Sequence, residues 1–436
     1  MNAISKDAAP FGKGILRVLL LSGTFLCLVF SAYGQEGGQG QKAAILLPDG
    51  PGKAVVQSAC VACHDLERVT RPTGATREEW ENTINYMVSQ GAKLTKDQFA
   101  MVLDYLATNY PDRSPKPVAV PGPVEVSIKE WTVPTPGSHP HDPLVAPDGS
   151  IWYTGLGKDL LGRFDPKTNK FKEYPLKAKS GPHGLVADKD GNIWFTAING
   201  GYLGKLDPKT GDVKEYPTPD AKVISFHTPL FDPKGNVWFT MSGNNRVGRL
   251  DTKTGEIKLV IPPTPNARPY GLVINSKGVP FFALFGTNKL ASIDPDTLEM
   301  QEYVLPNKEA RPRRITVTPD DVLWYGDFAR GYLGRYDPKT GKASEWPSPS
   351  GSAAGPYGIA AVKDVIWYSE TGVKPNTVVR FDTRSEKFQT WIIPSGGGVI
   401  RNMMATPDGK RLWLACSGVN GIAMVEIKSN ERASLR

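Results

Sequence analysis

The feature that most constrains the fold of this 436-residue chain is a repeat of about 43 residues that occupies its last two thirds. Each copy is marked by an aromatic residue that follows a turn and a hydrophobic residue: Trp152, Trp194, Trp238, Phe281, Trp324, Trp367 and Trp413. These residues are 42, 44, 43, 43, 43 and 46 positions apart. A fixed period of this length indicates a solenoid or a propeller, because each unit can bury its apolar face only against its neighbours.

Each copy of the repeat has the pattern of short strands joined by tight turns. In the second copy, turns at Asp190-Gly191 and at residues 207–211 separate stretches rich in hydrophobic residues. These stretches are residues 184–187, 193–196, 203–206 and 213–217. Four short strands without a helical period predict a propeller blade. The content of Gly (45 residues) and Pro (38 residues) agrees with a turn-rich chain.

The number of blades follows from the outermost strand of each copy. A signature similar to Lys-Glu-Tyr-Pro ends the first six copies, whereas the last copy stops after residues 422–427 without one. The missing strand lies at the other end of the repeat region, in residues 129–134. An N-terminal strand that completes the last blade would close the ring without a free edge. We therefore predict an all-β, seven-bladed propeller over residues 124–430.

Residues 1–34 have the pattern of an export signal. Basic residues precede an apolar stretch, residues 18–30, and the small residues Ala32 and Gly34 suit cleavage after Gly34. The stretch is shorter than the roughly 20 residues that a membrane-spanning helix needs, and no later segment has the length or hydropathy for a span. We expect a periplasmic or otherwise exported protein with no membrane span after signal cleavage; the alternative is a signal that is kept as an anchor.

Behind this signal lies the motif Cys60-Val61-Ala62-Cys63-His64. Its spacing suits covalent attachment of c-type haem, because two thiols one helical turn apart can add to the two haem vinyl groups while the adjacent histidine ligates the iron. The alternatives are a disulfide and half of a zinc site, but no second Cys/His pair lies nearby to complete a zinc shell. We predict one covalent haem c held by Cys60, Cys63 and His64.

The second axial ligand of the iron is expected from the helices that follow. A capping box at residues 76–79 opens a helix in which Trp80 and Met87 share one apolar face, and a second box at residues 95–98 opens another helix. Met101 lies off the apolar stripe of that second helix. We therefore predict Met87 as the axial ligand, with Met101 as the alternative.

Residues 41–110 resemble the compact cytochrome c domains that are fused to larger periplasmic proteins. The resemblance rests on the C-x-x-C-H motif, the helix that carries Met87 and the closing helix around Tyr105. It implies a small all-α domain with a six-coordinate, low-spin iron that is suited to electron transfer. Five prolines in residues 111–123 predict an extended, semi-rigid linker. The expected protein is thus multidomain, with a cytochrome c domain, a linker and a propeller.

One phase of the repeat should place a ring of side chains at the mouth of the central channel. The innermost strand of each blade starts, and the antiparallel second strand ends, at the same face. The residues ten to twelve positions before the aligned aromatics are His141, His183, His227, Tyr270, Arg313, Tyr357 and Arg401. These bulky polar residues predict a ligand channel for an anionic or polyhydroxylated molecule. The alternative is a repeat consensus in which they only cap strands.

A second ring is expected three positions after the aligned aromatics, at Gly155, Ala197, Met241, Leu284, Asp327, Glu370 and Cys416. From there, Asp327 and Glu370 could orient Arg313 and Arg314 across the channel or act as bases. Cys416 is expected to be a small buried hydrophobe. Three imidazoles from adjacent blades could also hold a divalent metal ion.

The repeats resemble the virginiamycin B (streptogramin B) lyase family. The resemblance covers roughly 300 residues and rests on Gly-Pro-His-Gly-Leu at residues 181–185 and Asp-Gly-Asn-Ile-Trp-Phe-Thr at residues 190–196. It implies the propeller architecture. It implies the chemistry only weakly, because propellers host unrelated activities.

The family's functional pattern is only partly present. The family holds magnesium and moves protons with a Glu-x-His before an innermost strand and a Glu that ends Trp-Phe-Thr-Glu. Here His183 follows Gly181 in place of the Glu, and Ala197 stands at the second Glu position. Glu370 ends the matching Trp-Tyr-Ser-Glu, but the blade that carries it has Tyr357 in place of the His. No blade carries the full set.

Three functions follow as hypotheses. The first is an exported c-type cytochrome that carries single electrons, with a propeller that binds a substrate or a redox partner. The second is a lyase that opens a cyclic depsipeptide ester, with His183 or His227 as base and Glu370 as metal ligand. The third is a non-catalytic docking propeller. A periplasmic electron donor or acceptor and an anionic small molecule are the expected partners. The formal charge of +8, without basic runs interleaved with aromatics, argues against nucleic acid.

Overall fold

Seven four-stranded antiparallel sheets dominate the computed structural model, which describes residues 45–61, 66, 69–70, 73–89 and 91–428. In each sheet the strands are hydrogen-bonded in sequence order, except where the ring closes. The first strands of neighbouring blades pack against one another, which places them around the central axis. The prediction of a seven-bladed propeller is confirmed.

The strands of the first six blades follow one another along the chain. Blades 1 and 2 consist of β2 (Pro140–Val145), β3 (Ile151–Gly155), β4 (Leu160–Asp165), β5 (Lys170–Pro175), β6 (Pro182–Ala187), β7 (Ile193–Ala197), β8 (Tyr202–Leu206) and β9 (Val213–Pro217). Blades 3 and 4 consist of β10 (Pro229–Phe231), β11 (Val237–Met241), β12 (Arg246–Leu250), β13 (Ile257–Val260), β14 (Pro269–Ile274), β15 (Pro280–Leu284), β16 (Lys289–Ile293) and β17 (Met300–Val304). Blades 5 and 6 consist of β18 (Pro312–Val317), β19 (Leu323–Asp327), β20 (Tyr332–Tyr336), β21 (Ala343–Pro347), β22 (Pro356–Val362), β23 (Val365–Glu370), β24 (Thr377–Asp382) and β25 (Lys387–Ile392).

The seventh blade joins the two ends of the propeller. It consists of β26 (Ile400–Ala405), β27 (Arg411–Cys416), β28 (Gly421–Lys428) and the N-terminal strand β1 (Glu125–Thr132), which is hydrogen-bonded to β28. The Trp131 ring stacks on the Trp413 ring at 5.5 Å between centroids. Closure by an N-terminal strand is confirmed, although the strand begins four residues earlier than the sequence pattern indicated.

Within the blades, large aromatic rings pack against glycines on the neighbouring strand. Phe195 on β7 lies opposite Gly204 on β8, and a Cβ atom added to Gly204 would lie 2.2 Å from the Phe195 ring. The same pairing recurs in three other blades, between Tyr153 and Gly162, Phe239 and Gly248, and Tyr325 and Gly334. The aromatic ring fills the volume that a side chain would need, so the repeat keeps a glycine there.

The described chain from Leu47 onwards forms one compact unit, so the helices belong to the same body as the propeller. They are α1 (Lys53–Val55), which continues as a π-helical turn (Val56–Cys60), α2 (Arg77–Ser89) and α3 (Lys96–Asn109). Three single-turn 3₁₀ helices lie in propeller loops, at Ser242–Asn244, Gly351–Ala353 and Ser417–Val419.

Both predicted capping boxes are confirmed. The Thr76 amide donates to Glu79 at 2.8 Å and the Glu79 amide donates to the Thr76 hydroxyl at 3.3 Å. Thr95 and Gln98 form the same pair of bonds at the start of α3. The helices enclose a small apolar core in which Trp80 is 2% exposed. An all-α unit therefore precedes the propeller, and its assignment as a haem domain belongs to the function proposed below.

The proline-rich segment 111–123, for which the sequence predicts an extended, semi-rigid linker, is hydrogen-bonded to the propeller. The Val120 amide donates to the Thr390 hydroxyl at 2.8 Å, and the Thr390 amide donates to the Val120 carbonyl at 3.0 Å. Thr390 lies on β25, the outermost strand of blade 6. An outer strand has unpaired backbone groups, and these hold the extended segment in place.

Some predictions fall outside the described residues. These include the export signal, residues 1–34, and two residues of the haem motif, Cys63 and His64. Among the helices that are described, none combines the length and hydropathy required to cross a bilayer.

We predict that Gly204→Ala lowers the free energy of unfolding by about 1–3 kcal/mol, because the new methyl group would overlap the buried Phe195 ring. Chemical denaturation measures this difference. The control is Lys209→Ala in an exposed turn, which should change the free energy of unfolding by less than about 0.5 kcal/mol. Equal stability of the two variants would contradict the packing argument.

Candidate ligand-binding site at the channel mouth

β-Bulges in the innermost strands orient the side chains of the predicted ring residues towards the channel. The innermost strand of six blades shifts register at the ring position, for example between Pro140 and Pro143 in β2 and between Pro182 and Leu185 in β6. A β-bulge leaves a residue unpaired and changes the direction of its side chain. His141 and His183 therefore leave the alternation of their strands.

Side-chain hydroxyls then fix three of the ring residues, His183, His227 and Tyr270, to the blade before each of them. Thr154 lies two residues after Trp152 and donates to the His183 carbonyl at 2.8 Å. Thr196 donates to the His227 carbonyl at 2.6 Å, and Thr240 donates to the Tyr270 carbonyl at 2.6 Å. Each hydroxyl also accepts an amide hydrogen from the innermost strand of its own blade. The three threonines are fully buried, so these bonds are shielded from water.

All seven predicted ring residues line one cavity of about 810 Å³. Along one side of it runs a ladder of closely packed, mutually tilted rings from four consecutive blades. The ring centroids are 3.7 Å apart between His141 and His183, 3.9 Å apart between His183 and His227, and 3.9 Å apart between His227 and Tyr270. None of the four residues exceeds 7% exposure. The side chains that share one phase of the repeat thus lie together around one cavity.

The opposite wall of the cavity pairs tyrosines with an arginine. The hydroxyl groups of Tyr270 and Tyr357 are 2.6 Å apart, and Arg313 donates to the Tyr270 hydroxyl at 3.2 Å. The Arg313 guanidinium lies 3.6 Å from the centroid of the Tyr357 ring and 4.3 Å from that of Phe328. Burial and the neighbouring Tyr357 raise the pKa of Tyr270 to about 12. Burial alone would raise the pKa of Tyr357, but nearby guanidinium groups, first that of Arg313, outweigh it and lower this pKa.

The histidines of the ladder are held in the neutral form. Burial is the main cause that lowers the pKa of His141, His183 and His227 well below 6.5. The guanidinium groups of Arg314 and Arg401 contribute in the same direction at His141 and His183. The His183 Nδ1 atom is buried and has no hydrogen-bond partner among the described residues.

A buried ion pair, which we call the floor, adjoins the cavity next to His141 without lining it. Arg314 donates to both carboxylate oxygens of Asp142, at 2.7 and 3.2 Å, and each of the two residues is 3% exposed. Asp142 also accepts from Asn402 at 3.0 Å and contacts the Nδ1 atom of His141 at 2.8 Å. Below this pair, a separate apolar cavity of about 200 Å³ continues along the channel.

Helix α2 forms the roof of the cavity. Its residues Glu79, Asn82, Thr83, Tyr86 and Met87 line the same space as the ring residues. The Tyr86 ring packs edge-on against the His139 ring of the propeller, with centroids 5.4 Å apart. The mouth of the channel is therefore covered by the helical unit, which the sequence did not indicate.

One lysine of the propeller holds the roof. The Lys374 ammonium lies 2.6 Å from the Glu79 carboxylate and 2.9 Å from that of Asp112. Although burial acts in the opposite direction, the bonds to Lys374 and Thr76 lower the pKa of Glu79. Glu79 is thus ionised and paired at neutral pH.

The carboxylates that were expected to face the channel have other partners. Glu370 is fully buried and accepts bonds from the Ser350 amide and hydroxyl, at 2.9 and 2.6 Å, and from Thr377 at 2.8 Å. Asp327 is fully buried, accepts from the Arg311 amide and forms an ion pair with Arg330. Neither carboxylate lines the cavity or contacts Arg313 or Arg314. Both anchor loops between blades.

Two further expectations concern metal binding and Cys416. Ligand atoms of His141, Asp142 and His183 lie within 4.8 Å of one another, which suits a metal ion in distance alone. A cation there would have to displace Arg314 from Asp142 and remain beside a second guanidinium. Cys416 is a free, buried thiol, as expected, and burial raises its pKa.

Sequence reasoning missed Asp142, although the repeat contains a signal for it. The residue after each ring residue is Gly184, Thr228, Gly271 or Gly358 in four blades. A Cβ atom on Gly271 would lie 2.8 Å from backbone atoms of Arg314, so this position is crowded. The charged or amide side chains of Asp142, Arg314 and Asn402 depart from this pattern at the same position, and they bond to one another.

Comparison with known proteins identifies the propeller. The model of the virginiamycin B lyase family matches residues 123–293 and 281–433, which is well over half of the chain. The chain belongs to the virginiamycin B lyase family. The helices lie outside the matched residues. The roof is therefore an addition to the propeller that this chain shares with the family. No sequence of a curated protein matches the chain.

Solved structures agree with this membership. A streptogramin B lyase is 26% identical, with a TM-score of 0.64 over 70% of this chain and 98% of its own. A catalytically inactive variant of virginiamycin B lyase from Staphylococcus aureus, solved with quinupristin, is 23% identical, with a TM-score of 0.63 over 69% and 99%. Hydrazine synthase from Kuenenia stuttgartiensis is 16% identical, with a TM-score of 0.55 over 67% and 97%. The last two similarities show the fold alone.

We predict that Arg314→Met lowers the free energy of unfolding by about 3–5 kcal/mol, because it leaves the buried Asp142 carboxylate of this lyase-family propeller without its cation. Denaturant titration measures the loss. The double variant Asp142→Asn/Arg314→Met should recover most of it, because no uncompensated charge remains. A single variant as stable as the wild type would show that the pair is not a structural element.

The neutral histidines predict a stability that falls in mild acid. The folded protein keeps His141, His183 and His227 neutral below pH 6.5, while the unfolded chain takes up protons there. Each histidine should therefore remove about 1.4 kcal/mol of stability per pH unit below about 6.5. Melting temperatures measured between about pH 7.5 and 5 should decline, and His183→Gln should decline by about one third less steeply. A flat profile in the wild type would contradict burial of neutral imidazoles.

Proposed function

We propose that this protein is an exported c-type cytochrome that carries single electrons through one covalently bound haem, and that its propeller binds the substrate or redox partner. The C-x-x-C-H motif and the preceding export signal support this proposal from the sequence. Both features favour a periplasmic or otherwise exported location, because c-type haem is attached outside the cytoplasm.

The described residues fit a haem of this type. Within the part of the chain that the structure describes, Cys60 forms no disulfide, and it is half-buried against the helical core. Val61, inside the motif, is 46% exposed, and Val88, next to Met87, is 40% exposed. Such apolar surface is what a porphyrin would cover. Met101 is 40% exposed and does not line the cavity, which favours Met87 as the thioether ligand.

One observation carries the proposal: Met87 lines the same cavity as the seven ring residues. A ligand in the propeller channel would therefore lie beside the residue assigned to the iron. Electron transfer requires this kind of proximity between the bound partner and the cofactor. The ion pairs of Lys374 hold α2 at the channel mouth and so keep the two sites together.

Each residue has a defined part in this arrangement. Cys60 and Cys63 would tether the haem, and His64 and Met87 would ligate its iron. A haem held by these residues would supply the exchange of single electrons. The ring residues bind and orient the partner, and Tyr86 excludes water from the contact between the two units.

The family membership keeps a second function in view, a carbon–oxygen lyase that opens a cyclic depsipeptide ester. The neutral imidazoles of His183 and His227 line the cavity and are free to act as bases. Glu370, however, is bonded to Ser350 and Thr377, so its carboxylate is not available to a metal ion in the cavity. Lyase turnover would persist with Cys60 replaced by serine, whereas haem-dependent turnover would not. A pure docking propeller would show neither.

We predict that the purified, exported protein gives the alkaline pyridine spectrum of covalently bound haem c, with one haem per chain. Denaturing gel electrophoresis followed by haem staining should retain the colour with the polypeptide, because thioether bonds survive denaturation. The Cys60→Ser/Cys63→Ser variant is the matched control and should lose the stain. A colourless wild-type protein, obtained from a host that matures c-type cytochromes, would overturn the proposal.

We predict that Met87→Ala abolishes the absorption band of methionine-to-iron charge transfer at the red end of the ferric spectrum. Loss of the thioether removes the sixth ligand and opens a coordination position. Met101→Ala removes the same atoms from the exposed face of α3 and should leave the band unchanged. Loss of the band in the Met101 variant instead would reassign the ligand.

A further inference from the structure

The covered cavity has an excess of positive charge. Arg268, Arg313 and Arg401 line it, and within the described residues none of the three forms a salt bridge. The hydrogen bonds recorded for the guanidinium groups of Arg313 and Arg401 are to neutral hydroxyls, from Arg313 to Tyr270 at 3.2 Å and from Arg401 to Ser417 at 3.0 Å. Arg268 is exposed, whereas Arg313 and Arg401 are half-buried. Clustered guanidinium groups that are partly removed from water are costly unless an anion compensates them.

Negative charge from the protein does not balance these arginines. Glu79 is the carboxylate that lines the cavity among the described residues, and it is paired with Lys374. Asp142 belongs to the floor and is paired with Arg314. The neutral histidines add no negative charge and offer ring nitrogens as hydrogen-bond partners.

Two of the four buried polar atoms that lack a partner among the described residues belong to side chains that line this cavity. The Nε atom of Arg313 and the Nδ1 atom of His183 are buried and have no hydrogen-bond partner among the described residues. His183 is 4% exposed and lies in the middle of the imidazole ladder. Buried polar groups in native proteins are nearly always satisfied, so a ligand that supplies acceptors fits this cavity.

The remaining surface of the cavity suits a flat molecule. Tyr86 and Met87 lie on the roof, and Tyr270, Phe285 and Tyr357 lie on the walls. Aromatic side chains bind planar ligands by stacking and edge-to-face contacts. The volume of about 810 Å³ is in the range of sites for small molecules.

We propose that the cavity binds a planar aromatic molecule that carries two or more carboxylates, with Arg313 and Arg401 as the principal anion ligands. Arginine forks match carboxylates in geometry and charge, and three unpaired guanidinium groups call for more than one negative charge. The claim that this molecule is the redox partner of the haem rests on the proposed function. The claim that it binds in the cavity does not. Helix α2 places it against Met87.

The test is a calorimetric titration of the full chain with benzene-1,3,5-tricarboxylate. The matched compounds are the neutral benzene-1,3,5-tricarboxamide and the aliphatic propane-1,2,3-tricarboxylate, and a fourth arm uses inorganic phosphate. We expect the aromatic tricarboxylate to bind at least about tenfold more tightly than each of the others. Equal binding of the triamide would overturn the role of charge. Equal binding of the aliphatic acid or of phosphate would overturn the aromatic class.

Matched arginine variants locate the binding. Arg313→Gln should weaken the aromatic tricarboxylate by at least about tenfold, whereas Arg311→Gln, two residues earlier and outside the cavity lining, should bind as the wild type does. If Arg313→Gln lowers the melting temperature, Arg401→Gln gives the same comparison. Unchanged affinity in the Arg313 and Arg401 variants would overturn the site.

Binding and haem content are read separately. A protein that contains haem c but does not bind the tricarboxylate overturns this inference and leaves the proposed function intact. A protein that binds the tricarboxylate through Arg313 but contains no haem overturns the proposed function and leaves the cavity assignment intact.

Discussion

The geometry of the histidine side of the channel mouth depends on buried hydroxyls that connect blades 1 to 4. Thr154, Thr196 and Thr240 each accept an amide hydrogen in their own blade and donate to the carbonyl of a ring residue in the following blade. A hydroxyl can do both because it is donor and acceptor at once. From blade 1 to blade 4, the spacing between successive ring residues is therefore set by hydrogen bonds as well as by packing, and this holds the tilted rings of the ladder close together.

The charges of the site are divided between two levels. At the floor, Asp142 and Arg314 neutralise each other out of reach of water, which fixes opposite sides of the ring to one another. Above them the arginines have no acidic counterpart, and the histidines give up their protons because burial and the guanidinium groups disfavour a further charge. A structural ion pair and a ligand-directed positive surface thus lie one residue apart in the sequence, at Arg314 and Arg313.

The features that could be predicted from the sequence are those that recur in every repeat. Because strand and turn lengths recur, the distance from the aligned Trp to His183 in one blade applies to His141 and His227 in others, and the ring could be placed before the structure. The roof could not, because the contact between Glu79 and Lys374 joins positions 295 residues apart and has no period. Glu370 lies at the repeat position expected for the second ring, but its carboxylate does not face the channel. Hydrogen bonds from Ser350 in a neighbouring loop hold its side chain, and loop contacts of this kind leave no pattern in the repeat.

The closure of the ring makes the two ends of the propeller interdependent. In blade 7, β28 lies between β27 and β1, so the last strand of the chain is an interior strand and not an edge. Glu125 of β1 pairs with Lys428 of β28. Of the pairings in the propeller, this one joins the positions that are furthest apart in the sequence, so it forms only after the whole propeller has been synthesised. In the chain, β1 is preceded by the hydrogen-bonded segment 111–123, and that segment is preceded by helices α2 and α3. Strand β28 therefore secures the segment that leads from the roof into the propeller, and the ring around the covered cavity is closed only when β28 has paired with β1.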